Sequence, residues 1–302
     1  MIKHKAKKSL GQNFLRDRVI LKKIADFAQI EKTDVVVEVG PGEGTLTEIL
    51  LTKASKIIAI EKDENLAKKL ENKFSQEIAS NRLQIIVGDV LKVSKGVFEM
   101  PRSQKTPLDT YKLVGNIPYY ITGTLFKKAL ESANPPKSIT FVVQKEVAER
   151  IMARDRKTQP SHKATAGKES ILSISIKAYG EPKYGGIIKA GSFFPKPKVD
   201  SAIISIRNIS KDRFKITFPT TLTSKKERNE GISEKRFFEI LKAGFAHKRK
   251  LLLSNLAGVS RFNLDTLRLG ESFGKCGISE KARAEDLRVE DWFNLVKEIL
   301  KD

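Results

Sequence analysis

The stretch Val35-Val36-Val37-Glu38-Val39-Gly40-Pro41-Gly42-Glu43-Gly44 decides how this chain folds. Four valines around one glutamate make a short β-branched run without alternation, which suits a strand covered on both faces. The glycines and proline behind it cannot continue a strand, so the chain must turn there. The same rhythm then repeats. A helical segment from Leu46 to about Lys53 leads to the run Ile57–Ile60, which ends on Glu61. A charged helix around Glu64–Phe74 leads to Leu83–Val87, which ends on Gly88-Asp89. Tyr111–Gly115 reads as a fourth strand and Ile139–Val143 as a fifth, while Ile171–Ala178 and Ala202–Arg207 read as an antiparallel pair completing the sheet. Upstream, Asp17 is placed to cap a helix over residues 18–30 with Val19, Ile20, Ile24, Phe27 and Ala28 on one face. Short strands alternating with helices predict an α/β fold, Rossmann-like, built on a parallel sheet.

Two stretches interrupt this pattern: Arg154–Lys168, polar and basic, reads as a loop, and Ser210–Gly231, containing Pro219, reads as a linker. Beyond them the periodicity is helical, over Glu234–Phe245, Lys248–Leu256, Leu264–Leu269 and Asp291–Leu300. A boundary near 209 follows, with an α/β domain over 1–209 and a linker and small C-terminal helical domain over 210–302. Lysine and arginine total 57 against 36 acids, a net charge of +21, which suits a polyanionic partner such as a nucleic acid. No apolar run reaches the ~18 residues that a membrane-spanning helix needs. Cys276 is the only cysteine, which excludes an intrachain disulfide and a Cys-rich zinc site. The basic amino-terminal stretch has no apolar core of the secretory kind, so a cytoplasmic setting is expected.

In an open parallel sheet, ligands bind beyond the carboxyl ends of the strands. Three such ends carry polar chemistry here. Gly40 and Gly42 let a ligand approach the backbone closely. Glu61 can accept hydrogen bonds from two ribose hydroxyls, and Asp89 from an adenine amine. A dinucleotide site also places an acid about 20 residues after its glycines, but Gly44 falls one residue early for its G-x-G-x-x-G spacing. Glu38 beside the turn would repel a pyrophosphate and suit a cationic sulfonium. This set favours S-adenosylmethionine as cofactor.

The fourth strand runs into Asn116-Ile117-Pro118-Tyr119. The lone pair of an adenine exocyclic amine is delocalised into the ring, so methylating it is hard. A site that accepts both amine hydrogens, through the Asn116 side-chain oxygen and the Ile117 carbonyl, bends the nitrogen and localises the pair. Pro118 fixes the turn and removes a competing donor. Tyr119 offers a face on which an extruded base can stack, worth ~1–3 kcal/mol. No strong base is required, since the methylated nitrogen sheds its proton readily and alignment carries the rate. In Ser192–Ser201, Phe193 reads as a core residue, Phe194 as a cover for the other face of the base, and Lys196 and Lys198 as phosphate contacts.

These residues resemble the ribosomal RNA adenine dimethyltransferases, in particular their bacterial small-subunit branch. The matching pieces are K-S-L-G-Q-N-F-L (8–15), E-V-G-P-G-E-G-T-L-T (38–47), Glu61, G-D-V (88–90), G-N-I-P-Y-Y-I-T (115–122), V-Q-K-E-V-A-E-R-I (143–151), F-F-P-K-P-K-V-D-S-A (193–202), F-A-H-K-R-K-L-L-L-S-N-L (245–256) and R-A-E-D-L (283–287). They span nearly the whole chain. The resemblance implies dimethylation of two adjacent adenosines near the end of small-subunit rRNA, in an immature ribosomal subunit, by a monomer. It also implies that Asn13 and Leu15 line the cofactor site with Gly40, Glu61, Asp89 and Asn116, and that Lys248, Arg249 and Lys250 grip the RNA backbone. The chain departs from the family at residues 155–170, longer and without a Tyr-Gly turn, and at 210–231, which is extended. Three other readings stay open: a large-subunit rRNA methyltransferase conferring antibiotic resistance, a non-catalytic RNA-binding assembly factor and, more remotely, a nicotinamide oxidoreductase.

Overall fold

The valine run becomes a strand because it is sandwiched between two others and covered on both faces. The computed structural model describes residues 7, 10–93, 110–153, 168–215, 233–257, 259 and 266–301. Its strands are β1 (Phe14–Leu15), β2 (Val35–Val39), β3 (Lys56–Glu61), β4 (Leu83–Val87), β5 (Tyr111–Asn116), β6 (Ser138–Gln144), β7 (Glu181–Ile188), β8 (Phe193–Phe194) and β9 (Ser201–Arg207). Seven of them form one sheet in the order β4-β3-β2-β5-β6-β9-β7, and β1 pairs with β8. β2 to β6 run parallel, and β9 lies antiparallel to β6 and β7. The chain builds outward from β2 through β3 to β4, then returns to β2's other side with β5. The crevice between the ends of β2 and β5 is therefore the topological switch point.

The chain divides into two compact units, Met1–Glu149 with Gly180–Ile209, and Arg150–Tyr179 with Ser210–Asp302. In the first, helices α1 (Arg18–Phe27), α2 (Thr45–Leu51), α3 (Glu64–Lys73), α4 (Ser75–Ala79), α5 (Val90–Val93), α6 (Thr122–Glu131) and most of α7 (Lys145–Met152) flank the sheet. Val36, Ile57, Val114, Val142 and Ile203 share one core with Leu21 and Ile24 of α1 and Leu46 and Leu50 of α2. Phe126 of α6 packs on Phe141 at 5.2 Å between ring centres. Asp17 caps α1 as read, accepting from the Val19 and Ile20 amides at 2.9 and 3.3 Å. Of the face read from sequence, Ile24 and Ala28 are buried and Ile20 and Phe27 pack on the core, joined by Leu21 and Ala25; Val19 departs from it at 79% exposure.

Ile171–Ala178, read above as a strand, lies instead in a helix, α8 (Ile171–Tyr179). Its Ile-Ser alternation imitates a period of two, but Ser170 and Ser173 cap each other's amides at 3.1 and 2.7 Å and start a helical turn. The antiparallel partner of β9 is instead β7, whose Pro182 and Gly185-Gly186 disguise it. Both are tolerated because β7 is an edge strand with a register shift between Tyr184 and Gly186.

The sequence places one cut at 209, whereas α8 groups with the C-terminal helices through its aromatic end. There Tyr179 stacks on Phe238 at 5.6 Å, and its hydroxyl bonds Glu234 at 2.6 Å. That unit holds α9 (Glu234–Gly244), α10 (Leu252–Ala257), α11 (Thr266–Lys275) and α12 (Val289–Leu300), and no strand among the described residues follows Arg207. The helix expected over Lys248–Leu256 begins only at Leu252, because Asn255 holds the carbonyls of Gly244 and His247 and closes a turn over 245–250. The helix expected at Leu264–Leu269 runs from Thr266 to Lys275. Residues 154–167, 216–232 and 264–265, within the expected loop, linker and helix, lie outside the described residues. Among the described residues, no helix is long and apolar enough to cross a membrane.

A Cβ on Gly115 of β5 would lie 2.6 Å from the Val39 carbonyl of β2. Gly115→Ala is therefore expected to destabilise the chain by about 2–3 kcal/mol. Gly123→Ala in α6, where a Cβ meets nothing within 4 Å, should instead stabilise by about 0.5–1 kcal/mol. Urea midpoints of the two variants check this contrast.

Candidate active site

Parallel register sets the ends of four strands side by side: Val39 opposite Ile60 and Gly115, and Glu61 opposite Val87. Each strand delivers its polar group just beyond that line. After β2, the Gly40 amide donates to the Ile60 carbonyl at 3.0 Å. Gly42, at φ +59°, turns its amide onto Glu61 Oε2 at 3.0 Å. Glu61 Oε1 accepts the Asp63 amide at 2.8 Å. Both oxygens of Glu61 are thus fixed by backbone, and each keeps a lone pair for a ligand hydroxyl. Asp89, after β4, accepts from the Leu91 amide and from Lys62 Nζ, both at 2.9 Å.

Asn116 ends β5. Its Nδ2 donates to the Asn13 carbonyl at 2.9 Å, which decides the amide's orientation, since a carbonyl demands a donor. Oδ1 is thereby the atom left to accept. Pro118 leads into a 3₁₀ turn, Tyr119–Ile121, and Tyr119 is anchored by its hydroxyl to buried Ser201 at 2.6 Å.

One cavity unites these groups. Asn13, Leu15, Gly40, Gly42, Glu61, Asp89, Asn116, Ile117, Pro118 and Tyr119, each named from sequence, line it together, along with Glu38. Phe193 is buried, and Phe194 stands outside the lining, 57% exposed, with the Arg16 guanidinium 5.1 Å from its ring centre. Lys196 and Lys198 are exposed. Lys248, Arg249 and Lys250 are exposed on the turn between α9 and α10 rather than on a helix face.

Three participants escaped the sequence reading. Tyr120, 62% exposed, also lines the cavity; the doubled Tyr119-Tyr120 was its only signal. Ser201 holds Tyr119 from 82 residues away, and Gln12 reaches buried Asp63 across 51. Neither link has a local signature.

The electrostatics of the cavity are acidic within a basic chain. Glu38 points from β2 toward α2, where Thr47 Oγ1 donates to it at 2.7 Å. Burial pushes its carboxyl up to about 8, against the opposing Thr47 bond and with help from Glu61. Glu38 therefore holds a proton at neutrality, and a cation seated beside it would take the proton's place. This corrects the simpler picture of an open carboxylate. Burial also raises Glu61, opposed by the Asp63 and Gly42 amides. Asp89 is held below the ordinary carboxylate range, first by the Lys62 hydrogen bond. Buried acids, a backbone-fixed acceptor pair and a close glycine turn fit a ligand with a ribose, an adenine and a positive centre, and disfavour a diphosphate.

Known proteins resemble this chain over most of its length. The ribosomal RNA adenine dimethylase family profile matches residues 3–217. The ribosomal RNA small subunit methyltransferase A of Dehalococcoides mccartyi is 38% identical over 297 residues, covering 97% of this chain and 88% of that protein. Its namesake from Clostridium acetobutylicum is 34% identical over 294 residues, covering 97% and 94%. Among solved structures, the 23S rRNA methyltransferase ErmE superposes with a TM-score of 0.66 at 25% identity, covering 95% of this chain and 99% of that one. A dimethyladenosine transferase from Plasmodium falciparum has the same fold, with a TM-score of 0.66 at 23% identity and coverage of 93% and 95%.

Glu38 makes stability depend on pH. Its ordinary value is 4.5 and its folded value about 8, so between these the native state binds a proton that the unfolded chain has lost. Its contribution is intact below about pH 4.5 and is lost as pH rises to 8, at up to about 1.4 kcal/mol per pH unit. Glu38→Gln removes this slope. Its melting temperature relative to the parent should climb steadily from pH 5 to 8; a constant difference would show that Glu38 is ionised throughout.

Proposed function

The chain belongs to the ribosomal RNA adenine dimethylase family, and we propose that it transfers methyl groups from S-adenosylmethionine to the exocyclic amines of two adjacent adenosines near the 3′ end of small-subunit rRNA. The orientation of Asn116 carries this reading. Its Nδ2 is committed to Asn13, so Oδ1 presents an acceptor at the mouth of a cavity suited to an adenosyl cation. Glu61 would hold the ribose hydroxyls and Asp89 the adenine amine, with Gly40, Gly42, Asn13 and Leu15 shaping the walls.

When bound, S-adenosylmethionine would supply an electrophilic methyl, with Glu61, Asp89 and the glycine turn holding it. Oδ1 of Asn116 and the Ile117 carbonyl accept the two hydrogens of the target amine and turn its lone pair out of the ring. Tyr119, fixed by Ser201, supplies the stacking face, and Pro118 keeps the turn free of a competing donor. The proton shed after transfer passes to water. Phe194 would cover the base only after parting from Arg16. Lys196, Lys198, Lys248, Arg249 and Lys250 would meet phosphates.

The immature small subunit is the expected substrate particle, the enzyme acting as a monomer in the cytoplasm. The names of the relatives that match at 34–38% identity over most of the chain favour the small subunit over the large. An oriented Asn116 beside an acidic cavity argues against a purely structural factor.

Mass spectrometry of rRNA from immature small subunits, incubated with the chain and cofactor, tests the reading. Two neighbouring dimethyladenosines are expected, and Asn116→Ala should slow their formation on the order of 100-fold or more. Modification confined to large-subunit rRNA, or none, would refute it.

A further inference from the structure

Asp63 follows Glu61 by two residues, yet no step of the chemistry above employs it. The residue is buried, its side chain fully covered. Oδ1 caps α3 by accepting the Asn65 amide at 3.0 Å. A cap needs only one such bond, and this carboxylate makes more. Lys7 Nζ reaches Oδ1 at 3.0 Å, and Gln12 Nε2 reaches Oδ2 at 3.2 Å. Gln12 Oε1 in turn accepts the Lys7 amide at 2.7 Å, so the two partners also hold each other.

The segment held in this way matters. Leu10, Gly11, Gln12 and Asn13 form part of the cavity wall, and the Asn13 carbonyl fixes the Asn116 amide. Gly11 adopts φ +61°, and a Cβ there would touch the Tyr120 ring at 3.4 Å. Residues 10–13 thus lie against the turn that bears the reacting groups, and the Gln12 bond to Asp63 ties them to the start of α3. Lys7 is 44% exposed at its side chain while Asp63 is fully covered, so the pair can part at one end without unfolding the other. Burial alone would push the Asp63 carboxyl up, but the bonds from Lys7 and Gln12 hold it below the ordinary range.

We propose that Asp63 is a positioning residue that, with Lys7 and Gln12, latches residues 10–13 against the S-adenosylmethionine cavity and thereby sets the rate of cofactor release. The latch rests on the cofactor assignment made above. It differs from capping in its partners: Lys7 and Gln12 serve the latch alone, Asn65 the cap alone.

Chase of radiolabelled S-adenosylmethionine from the full chain measures release directly. Lys7→Met breaks the ion pair and leaves the cap intact; Asp63→Asn keeps an oxygen for the cap and loses the charge. Each is expected to speed release about tenfold with little change in melting temperature. Asp63→Asn already removes the Lys7 ion pair, together with the oxygen that accepts from Gln12, so the double variant should release no faster than Asp63→Asn alone. Wild-type release in Lys7→Met, or effects that add, would overturn the latch and leave Asp63 as a helix cap. A wild-type chain that binds no S-adenosylmethionine would overturn the cofactor assignment instead, and the latch with it.

Discussion

Beside Val39 there is no room for a side chain on Gly115, since a Cβ there would lie 2.6 Å from the Val39 carbonyl. That close approach lets β2 and β5 run together to their carboxyl ends, where the strand order reverses. Everything the site needs is hung from this seam. The glycine turn leaves β2 and the asparagine turn leaves β5, so the groups that would hold a donor and those that would hold an acceptor meet across one crevice. Glu61 and Asp89 follow from the neighbouring strands at the same level. A wedge at Gly115 would separate the two turns before it disturbed either one.

Charge is used in opposite senses on the two scales of the molecule. The chain carries +21 overall, as suits a phosphate-rich partner. Its cavity is lined by carboxyl groups, buried enough that Glu38 keeps a proton near neutrality. A ligand that brings its own positive charge would favour loss of that proton and then pair with the carboxylate. The same burial makes hydrogen bonding decide each acid's role. Glu61 is fixed by backbone amides, Asp89 by Lys62, and Asp63 by two side chains from the amino terminus.

Much of this was legible before the structure, because it depends on local rules. The valine run, the glycine turn and the acids at successive strand ends are contiguous signals, and they place the sheet and the cavity correctly. Where the sequence misled, a local pattern competed with a distant contact. Ile171–Ala178 alternates like a strand, yet its serine cap and the aromatic core around Tyr179 make it helical. The edge strand β7 hides behind Pro182 and two glycines, which only an edge position permits. Lys248–Lys250 read as helix because Asn255, which closes the turn, lies beyond them. Links such as Tyr119 to Ser201 or Asp63 to Gln12 span 82 and 51 residues, and no periodicity announces them. The neutral state of Glu38 is equally invisible in sequence, since it follows from complete burial.

The orientation of Asn116 decides whether the crevice can receive an amine, since its Nδ2 is held by the Asn13 carbonyl. A crystal structure of the chain with S-adenosylmethionine tests it most directly. The ribose is expected on Glu61, the adenine amine on Asp89, and the donor methyl facing the space before Asn116 Oδ1, with Nδ2 still on the Asn13 carbonyl. A cofactor bound with its methyl turned away from Asn116, or an Asn116 amide released from Asn13 to donate into the crevice, would contradict it.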